Sequence, residues 1–232
     1  NVGTSEEKNI INVDIPAEKI EKLLEFALIK KIDLTIVGPE VPLVNGITDK
    51  FKSSGLNCFG PSKDAARLEG SKEFMKNFLC KYQIPTADYE TFNNLNLALE
   101  YLKKSSYPIV IKADGLAAGK GVTIAKNFFE AEKGIKECLE EEIFGQAGNK
   151  IVIEEFLKGE EVSFIVLTDG KTILPLASSQ DHKTRDNEDK GPNTGGMGAY
   201  SPAPIVTKEI HQKIMEQVIN PTMEGLSKEG II

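Results

Sequence analysis

The chain has 232 residues, 28 Lys+Arg against 35 Asp+Glu for a formal charge of −7, and 40% hydrophobic residues, the balance of a globular protein that needs no disulfide or structural metal to build a core. No segment approaches the roughly 20 apolar residues of a membrane span, and the polar opening Asn1–Asn9 lacks a basic-then-apolar leader pattern. An acidic total without a Lys/Arg block argues against nucleic-acid and anionic-membrane partners and points to a cytoplasmic globule, while leaving room for phosphate binding through a few local charges.

Ile10–Val13 reads as a first short strand, and Pro16 opens a helix over Ala17–Lys30 with Ile20, Leu23, Leu24, Ala27 and Leu28 at helical spacing. Asp33–Val37 is a β-branched strand ending at Gly38-Pro39-Glu40. Leu43–Ser53 reads as a helix with Gly55 beyond its end, and Cys58-Phe59 as a further strand before Gly60-Pro61. This rhythm predicts a parallel α/β layer over residues 1–61, one that lacks the opening strand and glycine turn such a layer normally has.

Ser62–Tyr82 is helical with a break expected at Gly70, Ala87–Phe92 is extended, and Leu95–Lys104 is a helix. The buried-type strand Pro108–Lys112 runs into Gly115, Gly119 and Gly121, and Phe128–Phe144 is an amphipathic helix. Ile151–Glu155 and Glu161–Thr168 read as strands, with a hairpin signal at Asp169-Gly170 before Lys171–Ser178. Thr184–Gly198 reads as a polar, glycine-bearing loop and Lys208–Leu226 as a closing helix. The three cysteines, Cys58, Cys80 and Cys138, have no CxxC or zinc spacing and are expected to be reduced and mostly buried.

Three stretches carry chemistry. In Ile109–Val122 a strand delivers Lys112, and a loop with Gly115, Gly119, Lys120 and Gly121 follows. Glycines permit positive φ and close approach of backbone N–H groups to phosphate oxygens, and the lysines add point charges. The spacing fits neither the Walker A loop nor GxGxxG, and a plain hairpin turn with surface lysines is the simpler alternative. In Ile151–Ser163 an apolar strand ends in Glu154 and Glu155, followed by Phe156-Leu157 and Glu160-Glu161. Such a segment can hold an adenine while a carboxylate takes ribose hydroxyls, or it can be a hairpin with solvated acids. In the third stretch, Ser178–Lys183 is followed by Gly191–Pro202, with Gly191, Gly195, Gly196 and Gly198 beside Asn193 and Thr194. That loop can wrap a small polar ligand. His182, between Asp181 and Lys183, shows no orienting partner in sequence.

In this order and spacing the three stretches resemble the glycinamide ribonucleotide synthetases (phosphoribosylamine–glycine ligases), a family of ATP-grasp enzymes. Asp33–Glu40, Gly60-Pro61-Ser62, Leu68–Lys72 and Gly191–Pro204 carry the same resemblance. It implies an α+β ATP-grasp fold. Residues 1–61 would be the remnant of an N-terminal parallel α/β domain, and residues 62–232 part of the ATP-grasp domain, with a mobile lid subdomain at about 84–157. Lys76 and Lys112 would contact ATP phosphates, Gly119-Lys120-Gly121 would close over them, and Lys112 and Lys120 would assist the chemistry. Glu154, Phe156 and Leu157 would frame the adenine and Glu161 the ribose. Asp181, His182 and Lys183, with Pro192, Asn193, Thr194, Gly195 and Gly196, would face glycine and 5-phosphoribosylamine.

The family uses ATP as substrate and magnesium or manganese as cofactor. No metal ligand is expected within the chain, because the family's Glu and Asn ligands would lie beyond Ile232. Where the family places an arginine after Asp181-His182-Lys183, this chain has Thr184, with Arg185 one position later. The expectation is a cytoplasmic monomer, or part of a multifunctional purine enzyme, without nucleic-acid or membrane partners. It is expected to be truncated at both ends and inactive or nearly so as this chain. Another ATP-grasp carboxylate–amine ligase and a non-catalytic nucleotide-binding module are the competing expectations.

Overall fold

The computed structural model describes residues 2–117, 121–141, 143–187 and 190–231. It divides into two compact units, Asn1–Gly70 and Ser71–Ile232. The first holds α1 (Ile20–Lys30), β1 (Thr35–Ile36), α2 (Glu40–Val44), α3 (Ile47–Ser53), β2 (Cys58–Phe59) and α4 (Lys63–Gly70). β1 and β2 pair in parallel, with Thr35 opposite Cys58 and Ile36 opposite Phe59. Leu24 and Ala27 of α1 pack with Ile47, Phe51 and Cys58 into this unit's core.

Two expectations fail here. Ile10–Val13 is not a strand, and Ile11 is 86% exposed: β1 and β2 form a two-stranded sheet, and among the described residues the run joins no ladder. The helix expected over Leu43–Ser53 is split into α2 and α3, because Gly46 takes φ +86°, a left-handed conformation through which an α-helix cannot run. α1 also begins three residues later than expected, after a turn closed by Lys19 N–H donating to Pro16 O.

The second unit opens with α5 (Lys72–Lys81), which starts afresh after Gly70 because Ser71 is extended (φ −143°) and caps the new helix. Then follow β3 (Tyr89–Phe92), α6 (Leu95–Leu102), β4 (Ile109–Ala113), β5 (Val122–Ala125), α7 (Phe128–Leu139) and β6 (Ile151–Glu155). The four strands form one antiparallel sheet in the order β3-β6-β4-β5. Alternation along each strand decides what faces what. Ile109, Ile111 and Ala113 join Ile151 and Ile153 in a core closed by α6 and α7, with Ala98, Leu102, Ala131, Ile135 and Cys138. Val110, Lys112, Val152 and Glu154 therefore share the opposite face, with Val110 directly across from Glu154 and Lys112 across from Val152. α7 stops at Leu139, short of the expected Phe144, and a 3₁₀ turn occupies Gly145–Gly148.

Beyond the sheet, β7 (Val166–Thr168) and β8 (Ile173–Pro175) form the hairpin expected at Asp169-Gly170. The Asp169 carboxylate accepts from Lys171 N–H (2.9 Å) and Thr172 N–H (2.6 Å), and Gly170 takes φ +88°. The polar loop expected over Thr184–Gly198 is instead an antiparallel pair, β9 (Gln180–Asp186) with β10 (Lys190–Tyr200). The register shifts twice along β10, and Gly191 (φ +85°) and Gly196 (φ +122°) supply the turns that absorb the extra residues. The closing helix is three pieces: α8 (Lys208–Ile214), a π-helical turn over Met215–Ile219, and α9 (Asn220–Lys228). The π turn is followed by Asn220 and then Pro221, which has no N–H to continue an α ladder. Among the described residues no helix is long and apolar enough to cross a membrane.

Two measurements test this packing. A Cβ on Gly225 of α9 would lie 2.7 Å from Phe78 Cζ and 2.8 Å from Tyr82 Cδ2, so Gly225→Ala is expected to destabilise by about 1–3 kcal/mol despite alanine's better helix propensity; urea denaturation reads the change. Burial pushes the Cys138 thiol up to about 11, so its folded pKa lies above its unfolded value of about 9. The stability this lends is complete below pH 9 and is lost as pH rises towards 11. At pH 8 a thiol reagent should modify exposed Cys80 rapidly and reach buried Cys58 and Cys138 only after denaturation.

Candidate functional site

The shared face of β4 and β6 carries a carboxylate paired with two lysines. Glu154 Oε2 accepts from two ammonium groups, Lys112 Nζ at 2.9 Å and Lys76 Nζ at 3.2 Å. Lys112 arrives from β4, diagonally across the ladder from Glu154. Lys76 arrives from α5 and is 2% exposed. Its Nζ also donates to Thr86 Oγ1 (2.7 Å) and Ala87 O (3.1 Å) and stands 5.3 Å from the Tyr89 ring centroid. All three N–H bonds of the Lys76 ammonium are thereby engaged. The Lys112 side chain keeps 28% exposure.

Two positive charges against one negative leave this buried triad with an excess of +1. Glu154 Oε1 is buried with no hydrogen-bond partner. A buried excess cation is costly unless an anion offsets it. The arrangement is thus suited to holding a polyanion beside Lys112, with the orphaned Oε1 ready to accept from a donor on the same ligand.

The strand carrying Lys112 turns at Asp114 into the glycine-bearing segment. Gly119 and Lys120 lie outside the described residues. Gly115 and Gly121 do not use the positive φ expected of them. Each is required by close packing instead: a Cβ on Gly115 would lie 2.9 Å from Ala147 Cα, and one on Gly121 2.7 Å from Ala117 Cβ. Ala113 N–H donates to Gly121 O at 2.8 Å, so the stem is a hairpin.

The remaining candidates lie further along the chain. Phe156 and Leu157 follow β6 and are exposed. Glu161 is ion-paired with Lys183, whose Nζ is also 3.9 Å from Asp181 Oδ2. Asp181, His182 and Lys183 lie on β9. The His182 ring stands 5.2 Å from that of Tyr200, whose hydroxyl donates to Gln180 Oε1. On β10, Thr194 Oγ1 donates to Lys183 O (2.9 Å) and accepts from Gly196 N–H (3.1 Å), and Gly195 lies between them. Pro192 and Asn193 belong to the same strand, and their side chains lie outside what is described. Lys76, Lys112 and Glu154 are therefore assembled, whereas the β9–β10 residues form a second group tied to Glu161. Sequence reasoning missed Thr86, Ala87 and Tyr89 around Lys76, whose role depends on the chain folding back after α5.

Antiparallel sheet, covering helices and glycine-stemmed hairpin together make an α+β ATP-grasp fold. A biotin carboxylase domain of 2-oxoglutarate carboxylase from Hydrogenobacter thermophilus, solved with MgADP and bicarbonate, superposes with a TM-score of 0.75 at 18% identity, over 93% of this chain and 48% of that one. Phosphoribosylamine–glycine ligase from Thermotoga maritima matches with a TM-score of 0.69 and 44% identity, over 75% of this chain and 44% of that one. The family model for the phosphoribosylglycinamide synthetase N domain matches residues 1–69, and that for its ATP-grasp (A) domain matches residues 70–232. The chain belongs to the phosphoribosylglycinamide synthetase family. Phosphoribosylamine–glycine ligase from Pasteurella multocida is 57% identical over all of this chain and 54% of that relative, so the chain spans about half the length of the curated relatives it matches.

Among the described residues no group of three or more His, Cys, Asp and Glu side chains comes together. The triad makes its own prediction. Glu154→Gln leaves the buried Lys76 ammonium and the partly exposed Lys112 ammonium without their shared counter-charge and is expected to cost about 3 kcal/mol of stability. Urea titration at pH 7 reads this.

Proposed function

We propose that this chain contributes the nucleotide site of an ATP-dependent ligase that joins glycine to 5-phosphoribosylamine, giving glycinamide ribonucleotide, ADP and phosphate in purine biosynthesis. The observation that carries the reading is the Lys76–Glu154–Lys112 triad, an excess of positive charge that is open to solvent only through Lys112, at the foot of a glycine-bearing hairpin.

In this reading Lys112 addresses the ATP phosphates directly. Lys76 adds its charge from behind, and a direct contact requires it to release one of its three acceptors. Gly119-Lys120-Gly121 closes over the phosphates, with Lys112 and Lys120 steadying the transferring group. The layer from about residue 84 to 157 acts as the lid. Glu154, Phe156 and Leu157 meet the adenine, and Glu161 leaves Lys183 to take the ribose hydroxyls. Asp181, His182 and Lys183, with Pro192, Asn193, Thr194, Gly195 and Gly196, turn towards glycine and 5-phosphoribosylamine.

A glycine carboxylate is a poor electrophile, so a carboxylate oxygen first attacks the γ-phosphorus of ATP. The bond to the β-bridging oxygen breaks, giving glycyl phosphate and ADP. The amine of phosphoribosylamine then attacks the glycyl carbonyl, phosphate departs and the nitrogen loses a proton. Catalysis of this kind rests on positioning and on charge placed where the phosphates develop it. A closed lid would keep water from the acyl phosphate. Magnesium, or manganese in its place, would be held by groups other than those described in this chain.

The test is ADP formation with magnesium, ATP, glycine and phosphoribosylamine, each omitted in turn. It compares this 232-residue polypeptide with one extended to the length of its relatives. The extended protein should form ADP only with the complete set, and this chain little or none. ADP formation that needs a different acid would establish another carboxylate–amine ligase. ADP binding without turnover in either protein would establish a nucleotide-binding module.

A further inference from the structure

A second network joins the helix that carries Lys76 to the strand that carries Lys112, away from both ammonium groups. The first turn of α5 has N–H groups without helical acceptors. The local cap satisfies one of them: Ser71 Oγ accepts from Phe74 N–H at 3.1 Å. The other two go to Asp114, the residue that follows β4. Lys72 N–H donates to the Asp114 carbonyl at 3.1 Å, and Glu73 N–H donates to Asp114 Oδ1 at 2.7 Å.

Ser71 Oγ lies 3.2 Å from both oxygens of that carboxylate, and Lys72 Nζ donates to the carbonyls of Asp114 (3.3 Å) and Gly115 (3.1 Å). Asp114 N–H donates to Lys150 O at 2.9 Å, just before β6. Lys150 Nζ closes the ring by pairing with Glu73, a bond that pushes the lysine pKa above its ordinary value.

We propose that Asp114 is a positioning residue: a cap supplied from the sheet that holds α5 and β4 in one register, so that Lys76 and Lys112 meet on Glu154 and act on one anion. The proposal rests on the nucleotide reading above. Lys76 stands one turn beyond Lys72, and Lys112 two residues before Asp114, so sliding at this junction would separate the two ammonium groups. Ser71 alone cannot prevent sliding, because it belongs to the helix it caps. A carboxylate at the positive end of a helix makes charge-assisted bonds that are both short and directional.

The test uses the polypeptide extended to the length of its relatives, with ADP titration and amide hydrogen exchange as paired readouts. Asp114→Ala should weaken ADP binding about tenfold, the scale of one lost charge-assisted bond. It should also speed exchange together at Glu73 and along Ile109–Ala113. Asp114→Asn keeps an acceptor for Glu73 N–H and should lose only about threefold, which also serves if the alanine variant does not fold.

Thr207→Ala removes a comparable cap, the bond from Ile210 N–H to Thr207 Oγ1, from α8, outside the lid, and should leave ADP affinity unchanged. The proposal is overturned if Asp114→Ala binds ADP as the parent does, if faster exchange stays within the first turn of α5, or if Thr207→Ala weakens ADP equally. If the unsubstituted protein binds no ADP, the nucleotide reading fails. Exchange then decides alone, with faster exchange in both elements upholding the tether and faster exchange in the helix alone refuting it.

Discussion

One carboxylate oxygen shared by two ammonium groups is the constraint around which the second unit is organised. An ion pair taken out of water recovers its desolvation cost only with good geometry, and a third charge in the same place makes the balance worse. Thr86, Ala87 and the Tyr89 ring lessen the cost by surrounding Lys76 with acceptors and a π face. They do nothing for the excess positive charge, which reaches solvent only through Lys112. A purely structural ion pair would have been better built as one lysine with one glutamate and both oxygens satisfied. The leftover charge and the orphaned Glu154 Oε1 are the features a site for an anionic ligand with a donor group would need.

The sheet makes this geometry possible because its two faces have different work. Antiparallel pairing of β4 with β6 sends isoleucines to the helix-covered face and leaves Lys112 and Glu154 on the other, with Val110 and Val152 between them as a dry floor. A shift of one residue in that ladder would bury Lys112 in the isoleucine core and expose Ile111. The apolar core thus fixes the register, and the register brings the charges together. Lys76 comes from a helix outside the sheet, so its placement needs a separate support, which the Ser71–Asp114 junction supplies.

What was legible in the sequence follows the range of the interactions involved. Ile109–Lys112 and Ile151–Glu155 are strongly apolar runs, and both are strands because burial on the isoleucine face dominates any competing preference. The Asp169-Gly170 hairpin and the break at Gly70 were legible for the same reason: turn and cap chemistry is local. β9 and β10 were not, since Lys, Asn, Thr and four glycines within a dozen residues look like a loop unless the partner strand is known. Ile10–Val13 misled in the opposite sense: it has the composition of a strand and, among the described residues, joins no ladder. For the site, Lys112 and Glu154 could be read from strands that end in charge. The partners of Lys76 could not, because Thr86 and Ala87 approach it only after the chain turns back beyond α5. The capping role of Asp114 spans 41 positions from Glu73, and no helix-start pattern reports it.

The glycines of the hairpin show how one residue type can be anticipated for a reason that is not the operative one. A segment with Gly115, Gly119 and Gly121 suggests backbone freedom and positive φ, the usual requirement where N–H groups cradle phosphate. Gly115 and Gly121 instead lie at the two ends of the stem, where Ala147, Ala117 and Ala113 approach too closely for a Cβ. Their small size lets the stem pack against the turn at Gly145–Gly148 and against its own strand. A stem packed this tightly transmits position rather than absorbing it. The two ends of the stem are thus held beside the same Asp114 junction that ties α5 to β4.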